Sequence, residues 1–304
     1  MPAPAPPRTA VSTPAPTPTP TIGERIRREL PRLAPAERRV AGVLLAGDPL
    51  APLDPMAVLA ERSGTSAPTV LRLVGKLDFD GWADFQAACK AEIVARLSPP
   101  LARVPGAPAG AGRVAQVLDR LAGSVAGSRA NLDASGVARV AALLADQSRP
   151  VWTTGGRFSR VLAMHLGAHL QLMRPGAVAV PDSSLERTTA LLDLDASSVV
   201  VVFDYRRYQD DTVAFGRAAA TRGAAVVLFT DQYLSPLAHD ADEVVTTSVD
   251  APTPFDVLTP AVAVVEAIVA DVVDRLGTDL YDRLDRYDVV SGQLSRTGRT
   301  VRQA

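Results

Sequence analysis

"SSVVVVFDYRRYQDD" (Ser197–Asp211) sets four valines and a phenylalanine between a serine pair and a burst of charge. A short, uninterrupted apolar run bounded in this way reads as a strand buried on both faces, the kind found in parallel sheets covered by helices. Asp204-Tyr205-Arg206-Arg207-Tyr208-Gln209 then leaves the C-terminal edge of that strand, where open α/β sheets hold their ligands. Working outward, "PVWTT" (150–154), "AVAV" (177–180), "AAVVLF" (224–229) and "DEVVTT" (242–247) repeat the pattern. Each is followed by polar or glycine residues and a helix-length segment. Such alternation predicts right-handed βαβ units and a parallel sheet with helices on both faces. Linking helices are predicted at 114–130 and 137–146. A last apolar helix at about 257–276 is buried in its own domain or packed against a second subunit.

The other half of the chain reads differently. From Ile22 to Leu97 the apolar residues recur at helical spacing, and "SPPLARVPGAPAGAG" (98–112) then marks an interdomain connection. Within the helical unit, "LDPMAVLAERSGTSAPTVLRLVGKLDFDGWADF" (53–85) has the layout of a helix-turn-helix. A first helix from Pro55 to Arg62 turns Val58 and Leu59 inward, and Gly64 supplies the turn. Ser66 caps a second helix whose inner face is Val70, Leu71, Leu73, Val74 and Leu77. Ser66, Thr69, Arg72 and Lys76 are left on the other side. Hydroxyls and cations placed so suit base edges and phosphates in a major groove; spacing alone allows equally a capped helix with a solvated face. Arg25, Arg27, Arg28, Arg32, Arg38 and Arg39 could add phosphate contacts if they share that face.

Bulk properties exclude more than they assign. The 304 residues suit roughly two domains of about 150 each. A net charge of −1 gives no global pull toward nucleic acid or membrane. The single cysteine, Cys89, excludes an internal disulfide and a multi-thiolate metal site, and suits a reducing compartment. The proline-rich start, residues 1–21, reads as a disordered tail without a signal peptide's apolar core, and no later run is long enough to span a membrane. Cytoplasmic placement follows as an expectation. His165 and His169 share the four-residue spacing of a metal site without its glutamate, so no metal is expected. No nucleophile elbow, phosphate-binding loop or dinucleotide fingerprint occurs, and no cofactor is expected.

The stretches "APAERRVAGVLLAGDP" (34–49) and "MAVLAERSGTSAPTVLRLVGKLDFDGWADFQ" (56–86) resemble the N-terminal domain of the RpiR family of bacterial transcription regulators. Phe79, Gly81, Trp82, Asp84 and Phe85 belong to that likeness. Members pair this domain with a sugar isomerase (SIS) domain, which residues 132–276 resemble. The resemblance implies a helix-turn-helix that binds operator DNA as a dimer, with Ser66, Thr69, Arg72 and Lys76 at the recognition positions. It also implies a flavodoxin-like sheet of five parallel strands. In the family a Gly-x-Gly-x-Ser loop after the first strand and a Ser-x-Ser-Gly-x-Thr loop after the third wrap a sugar phosphate.

Here the first loop, "TTGGRFSR", keeps Gly155 and Ser159 but puts Arg157 where the second glycine belongs. The second puts Asp204, Arg206, Arg207 and Gln209 where the family has Ser, Ser, Gly and Thr. Two readings follow. Arg157, Arg206 and Arg207 grip a carboxylate or phosphate by forked hydrogen bonds, with Tyr205 or Tyr208 as a lid. Alternatively Asp204 pairs with an arginine and the loop is filled by its own side chains. "PDSSLE" (181–186) offers Ser183 as a cap, and Thr230 and Asp231 edge the same crevice, with Ser235 capping a short helix. Glu266 is a base only by analogy with the isomerases.

Together these readings give a tail at 1–21, a DNA-binding domain at 22–97, a linker and linking helix at 98–131, a SIS-like domain at 132–280 and a C-terminal tail at 281–304. The expected function is an effector-responsive regulator, not an enzyme. Its expected partners are operator DNA, a small anionic effector (a sugar phosphate or carboxylate) and one or three further copies of itself, with no membrane. Its effector residues would be Gly155, Arg157, Ser159, Asp204, Arg206, Arg207 and Thr230. The rivals are a SIS-type sugar-phosphate isomerase with an added helical domain, and a DNA-binding protein whose SIS-like domain only oligomerises.

Overall fold

The computed structural model describes residues 21–45, 53–97, 112–250 and 255–300. The expected proline-rich tail, apart from Thr21, and most of the expected connection at 98–112 lie outside the described residues. The N-terminal half is a helical unit of α1 (Ile22–Glu29), α2 (Pro35–Leu45), α3 (Met56–Arg62), α4 (Ala67–Lys76) and α5 (Trp82–Leu97). Thr21 opens α1 through a capping box: its side chain accepts from the Glu24 amide, and the Glu24 carboxylate accepts from the Thr21 amide. Ile26, Leu33, Val40, Leu59, Val70, Leu73, Val74, Leu77, Phe85 and Cys89 form one buried cluster. Gly64 turns the chain between α3 and α4 with φ +58°, as the sequence predicts.

Two expected core residues face out. Val58 is 37% and Leu71 43% exposed. Helix α4 buries Thr69, Val70, Leu73 and Val74, and Leu71 stands about 100° round the helix from Val70, on the side away from Thr69. Glu92 fastens α5 to the start of α1 by accepting from the Ile22 amide at 2.6 Å.

The C-terminal half follows α6 (Arg113–Asn131) and α7 (Ala134–Ala145). It runs β1 (Val151–Gly155), α8 (Arg160–Met173), β2 (Ala177–Ala179), α9 (Ser184–Asp193), β3 (Val199–Phe203), α10 (Asp210–Thr221), β4 (Ala225–Asp231), β5 (Glu243–Thr247), α11 (Thr259–Leu276) and α12 (Thr278–Thr300). The strands pair in parallel in the order β2-β1-β3-β4-β5, the doubly wound flavodoxin-like arrangement.

The valine run explains the layering. Side chains alternate along a strand, so Val199, Val201 and Phe203 meet Leu144, Leu162, Leu166, Val265 and Ile268 of α7, α8 and α11. Val200 and Val202 meet Ala190, Phe215 and Ala219 of α9 and α10 on the other face. All five β3 side chains are fully buried, each stabilising the sheet by about 2 kcal/mol. Arg174, also fully buried, donates to the carbonyls of Leu144 at 2.7 Å and Asp146 at 2.8 Å and so satisfies the end of α7.

The last residues, read as a tail, continue as helix α12; Leu280 is buried and Arg283 donates to the carbonyls of Leu172 and Gln171. Among the described residues no helix is long and apolar enough to cross a membrane.

Candidate functional site

The strand order places β1, β3 and β4 side by side in the sheet, so their C-terminal ends form one crevice. The loop after β1 is kept small by necessity. A Cβ on Gly155 would come within 3.0 Å of the Ser159 carbonyl and the Arg160 amide nitrogen, and one on Gly156 within 2.9 Å of Gln209 Oε1. Ser159 is buried, its Oγ donating to the Phe203 carbonyl at 2.6 Å, so it ties the loop to β3 and leaves α8 without a side-chain cap. Arg157 is exposed, and its backbone amide donates to Gln209 Oε1.

The loop after β3 is filled by its own side chains, as one of the two readings expects, but by different pairs. Asp204 is buried and, among the described residues, meets no arginine in a salt bridge. Its carboxylate accepts from Ser235 Oγ and, at 3.3 Å, from the Gln209 amide. Burial pushes its pKa up to about 6, with the nearby Asp231 and Asp211 adding like charge and those two hydrogen bonds opposing. Asp231, fully buried, is likewise held above the usual carboxylate range by desolvation. Tyr208 Oη at 2.8 Å, the Tyr233 amide at 2.9 Å and the Arg206 amide donate to it.

The three arginines expected to converge do not. Arg206 turns inward, its Nε donating to Asp256 at 2.7 Å, its Nη2 3.9 Å from Asp250 and its guanidinium 5.7 Å from the Tyr233 ring centroid. Arg207 is exposed on a backbone of φ +64°. Tyr205 is no lid: it is buried with its hydroxyl 3.0 Å from Thr247 Oγ1. Thr230 is buried and accepts from the Ser235 amide at 3.1 Å. Ser235 and Ser183 cap the helices predicted for them.

Sequence reading passed over Arg187 on α9. It is 8% exposed, with Nη2 3.1 Å from Asp182 and 3.4 Å from the Gly155 carbonyl. An isolated arginine within an amphipathic helix gives no signal of this; only the assembled sheet brings it to the β1 end.

The second candidate surface is α4. Ser66 occupies the N-cap position with extended backbone but makes no capping bond. Its Oγ lies 3.1 Å from Thr69 Oγ1, which accepts from Arg72 Nη2 at 3.0 Å, so these three residues form one hydrogen-bonded row along the helix. Thr69 itself is buried, while Ser66 and Arg72 are exposed. Lys76 leaves the row, its Nζ 2.7 Å from the buried Glu37 carboxylate. Burial opposes that charge, yet the Lys76 and Ala34 hydrogen bonds outweigh it and hold Glu37 below the usual range.

Arg39 donates to the Gly64 carbonyl at 3.4 Å, which places it beside the α3–α4 turn. Arg25 is engaged elsewhere, donating to the Leu77 carbonyl and lying 4.7 Å from the Phe79 ring centroid. His165 and His169 stack edge to face, and Glu266 approaches His165 at 3.6 Å.

These observations agree with comparisons to known proteins. Residues 21–96 match the helix-turn-helix domain of the rpiR family, and residues 143–270 match the SIS domain. Among solved structures, the sugar isomerase domain of an RpiR transcription factor from Sphaerobacter thermophilus is 21% identical. It covers 58% of this chain and 98% of its own, with a TM-score of 0.55. The Vibrio vulnificus NanR protein, solved in complex with ManNAc-6P, is 16% identical over 90% of this chain and 98% of its own, with a TM-score of 0.52. Both likenesses are of fold.

A curated relative, the bifunctional protein glk of Paraburkholderia xenovorans (strain LB400), is 27% identical over 220 residues, 72% of this chain; the chain spans 34% of that relative's length. With a helix-turn-helix domain of the rpiR type joined to a five-stranded SIS domain, the chain belongs to the RpiR family of transcription regulators.

Proposed function

We propose that this protein is a non-enzymatic transcription regulator. Its α3–α4 unit binds operator DNA, and its SIS domain controls that binding by sensing a small anionic metabolite, a sugar phosphate or carboxylate. The observation that carries the reading is the pairing, in one chain, of an rpiR-type helix-turn-helix with a SIS domain. The exposed ends of the Ser66–Thr69–Arg72 row support a groove-facing role for α4, with Arg39 beside the turn for a phosphate. Lys76, held by Glu37, joins them only if DNA displaces that pair.

In the SIS domain the Gly155–Ser159 loop leads into the start of α8, where a helix N-terminus favours an anion; the Gly156 and Arg160 amides are already bonded, to the Phe203 and Gly156 carbonyls. Arg157 and Arg207 stand at the rim, while Asp204, Arg206 and Thr230 shape the wall. Effector binding would act through unequal affinity for two arrangements of the paired DNA-binding domains.

Fluorescence anisotropy with DNA from the regions flanking its own gene tests the first half. Specific binding should exceed binding to random DNA, and Arg72→Ala should weaken it about tenfold or more. Equal affinity for both DNAs, or an Arg72→Ala variant that binds as tightly as wild type, would overturn the reading. A second reading, in which the SIS domain only oligomerises, is favoured by the self-filled loop of Asp204 and Gln209. In that case no sugar phosphate shifts either DNA affinity or melting temperature.

A further inference from the structure

We propose that Arg187 is the buried cation that receives the effector's anionic group at the β1–α8 loop, and that the Gln209 carboxamide competes with that group for the same loop amide. The inference rests on reading the crevice as an effector site. It assigns the charge recognition to a residue outside both loops that the family pattern uses.

The first observation is an incompletely partnered guanidinium. Arg187 is more than nine-tenths buried, yet among the described residues its Nε has no hydrogen-bond partner. Its Nη1 lies 3.1 Å from Asp211 Oδ2 without the alignment of a hydrogen bond. Only Nη2 is bonded, to Asp182 Oδ1 at 3.1 Å and to the Gly155 carbonyl at 3.4 Å. Buried donors left open in this way call for a further acceptor.

The two carboxylates beside it do not neutralise it fully. Asp182 is 56% and Asp211 66% exposed, so water weakens both attractions, and Asp182 is shared with Arg160 at 3.0 Å.

The second observation is what sits on the loop that Arg187 touches. Gln209, at the end of the β3–α10 loop, reaches back so that its Oε1 accepts from the Arg157 amide and lies against Gly156. A carboxamide oxygen on a loop amide, in the space that the missing side chain of Gly156 leaves, stands where an anion's oxygen would stand. Arg187 touches the start of the same loop through the Gly155 carbonyl. The uncapped start of α8 completes a positive corner. By contrast Arg206 is committed to Asp256 and Asp250.

Isothermal titration of the full chain with inorganic phosphate and glucose 6-phosphate, with glucose as a neutral control, tests the assignment. Gln209→Ala should tighten the binding of at least one phosphate probe by about threefold or more, because the competing oxygen is gone. Arg187→Gln should weaken it about tenfold, with Arg187→Lys between, since an ammonium keeps the charge but not the fork. An Arg157→Ala, Arg207→Ala double variant, at the exposed rim, should weaken it less than Arg187→Gln does.

A folded Arg187→Gln protein that binds like wild type, beside a double variant that has lost binding, would overturn the role of Arg187 and leave the effector site standing. Should Arg187→Gln fail to fold, Gln209→Ala decides: affinity unchanged or reduced overturns the competition and with it the proposal. Absence of binding of either phosphate to wild type and Gln209→Ala alike would overturn both the inference and the effector-site reading.

Discussion

The loops that leave β1 and β3 start from neighbouring strands at the same height, since Gly155 pairs with Phe203, yet they solve the strand-to-helix turn in opposite ways. The β1 loop is small: a methyl group on Gly155 would press on the Ser159 and Arg160 backbone, and one on Gly156 would displace the Gln209 carboxamide. The β3 loop is large and self-satisfied, with a buried aspartate, a paired arginine and a glutamine that reaches across to its neighbour. One loop is specified by what cannot be added to it. The other is specified by what its side chains bond to. The first should therefore resist substitution through sterics and the second through protonation and charge.

The largest effect should come from the β1 side. Gly155→Val would drive Cβ against the Ser159 and Arg160 backbone, which cannot rotate away. A loss of about 3 kcal/mol is expected, lowering the melting temperature by roughly 6 to 12 °C. An unchanged melting curve would break the contrast.

On the β3 side the effect should follow pH. The Asp204 carboxyl, raised to about 6, lies above its unfolded value of about 3.9. Between these values the folded protein holds a proton that the unfolded chain releases. The favourable contribution is complete below the unfolded value and is lost as pH rises through the folded one. Chemical denaturation should therefore show stability declining between about pH 4 and pH 7. Asp204→Asn, which keeps the shape without the charge, should lack a share of that decline amounting to at most about 3 kcal/mol. A variant with the same slope as wild type would remove Asp204 as its source.

The smallest effect sharpens the same contrast. Arg207 is exposed in a left-handed conformation that glycine adopts freely, so Arg207→Gly should stabilise by about 0.5 to 1 kcal/mol, read as a small rise in denaturation midpoint. A loss instead would mean that the arginine holds the loop.

Much of this architecture is legible in the sequence because its signals are local. The valine run 199–202 has one physical use, and the four other apolar runs mark the remaining strands of the sheet. Gly64, Ser183 and Ser235 act where their turn and cap chemistry predicts. What escaped the sequence depends on partners far along the chain. Lys76 is drawn to a glutamate 39 residues earlier, and Arg206 to an aspartate 50 residues later.

Leu71 reads as core because it is leucine, although its angle around α4 puts it outside. Helix α12 carries few apolar residues at regular spacing, and its first turns are held by Leu280 and by Arg283 bonding to carbonyls at the end of α8. At the candidate site, the tight β1 loop follows from the Gly155 and Ser159 that the family's loop pattern picks out, and Ser159 serves there as a tie to β3. The contributions of Arg187 and Gln209 exist only once α9 and α10 are docked.

The sheet's outer strand β2 carries one more consequence. It is three residues long and stands between Pro175 and Pro181, so its free side presents few amides in line. Proline cannot donate to a ladder, and a blunted edge of this length gives a foreign strand little to zip onto. Growth of the sheet from molecule to molecule, the usual hazard of an open β-structure, is closed off on that flank.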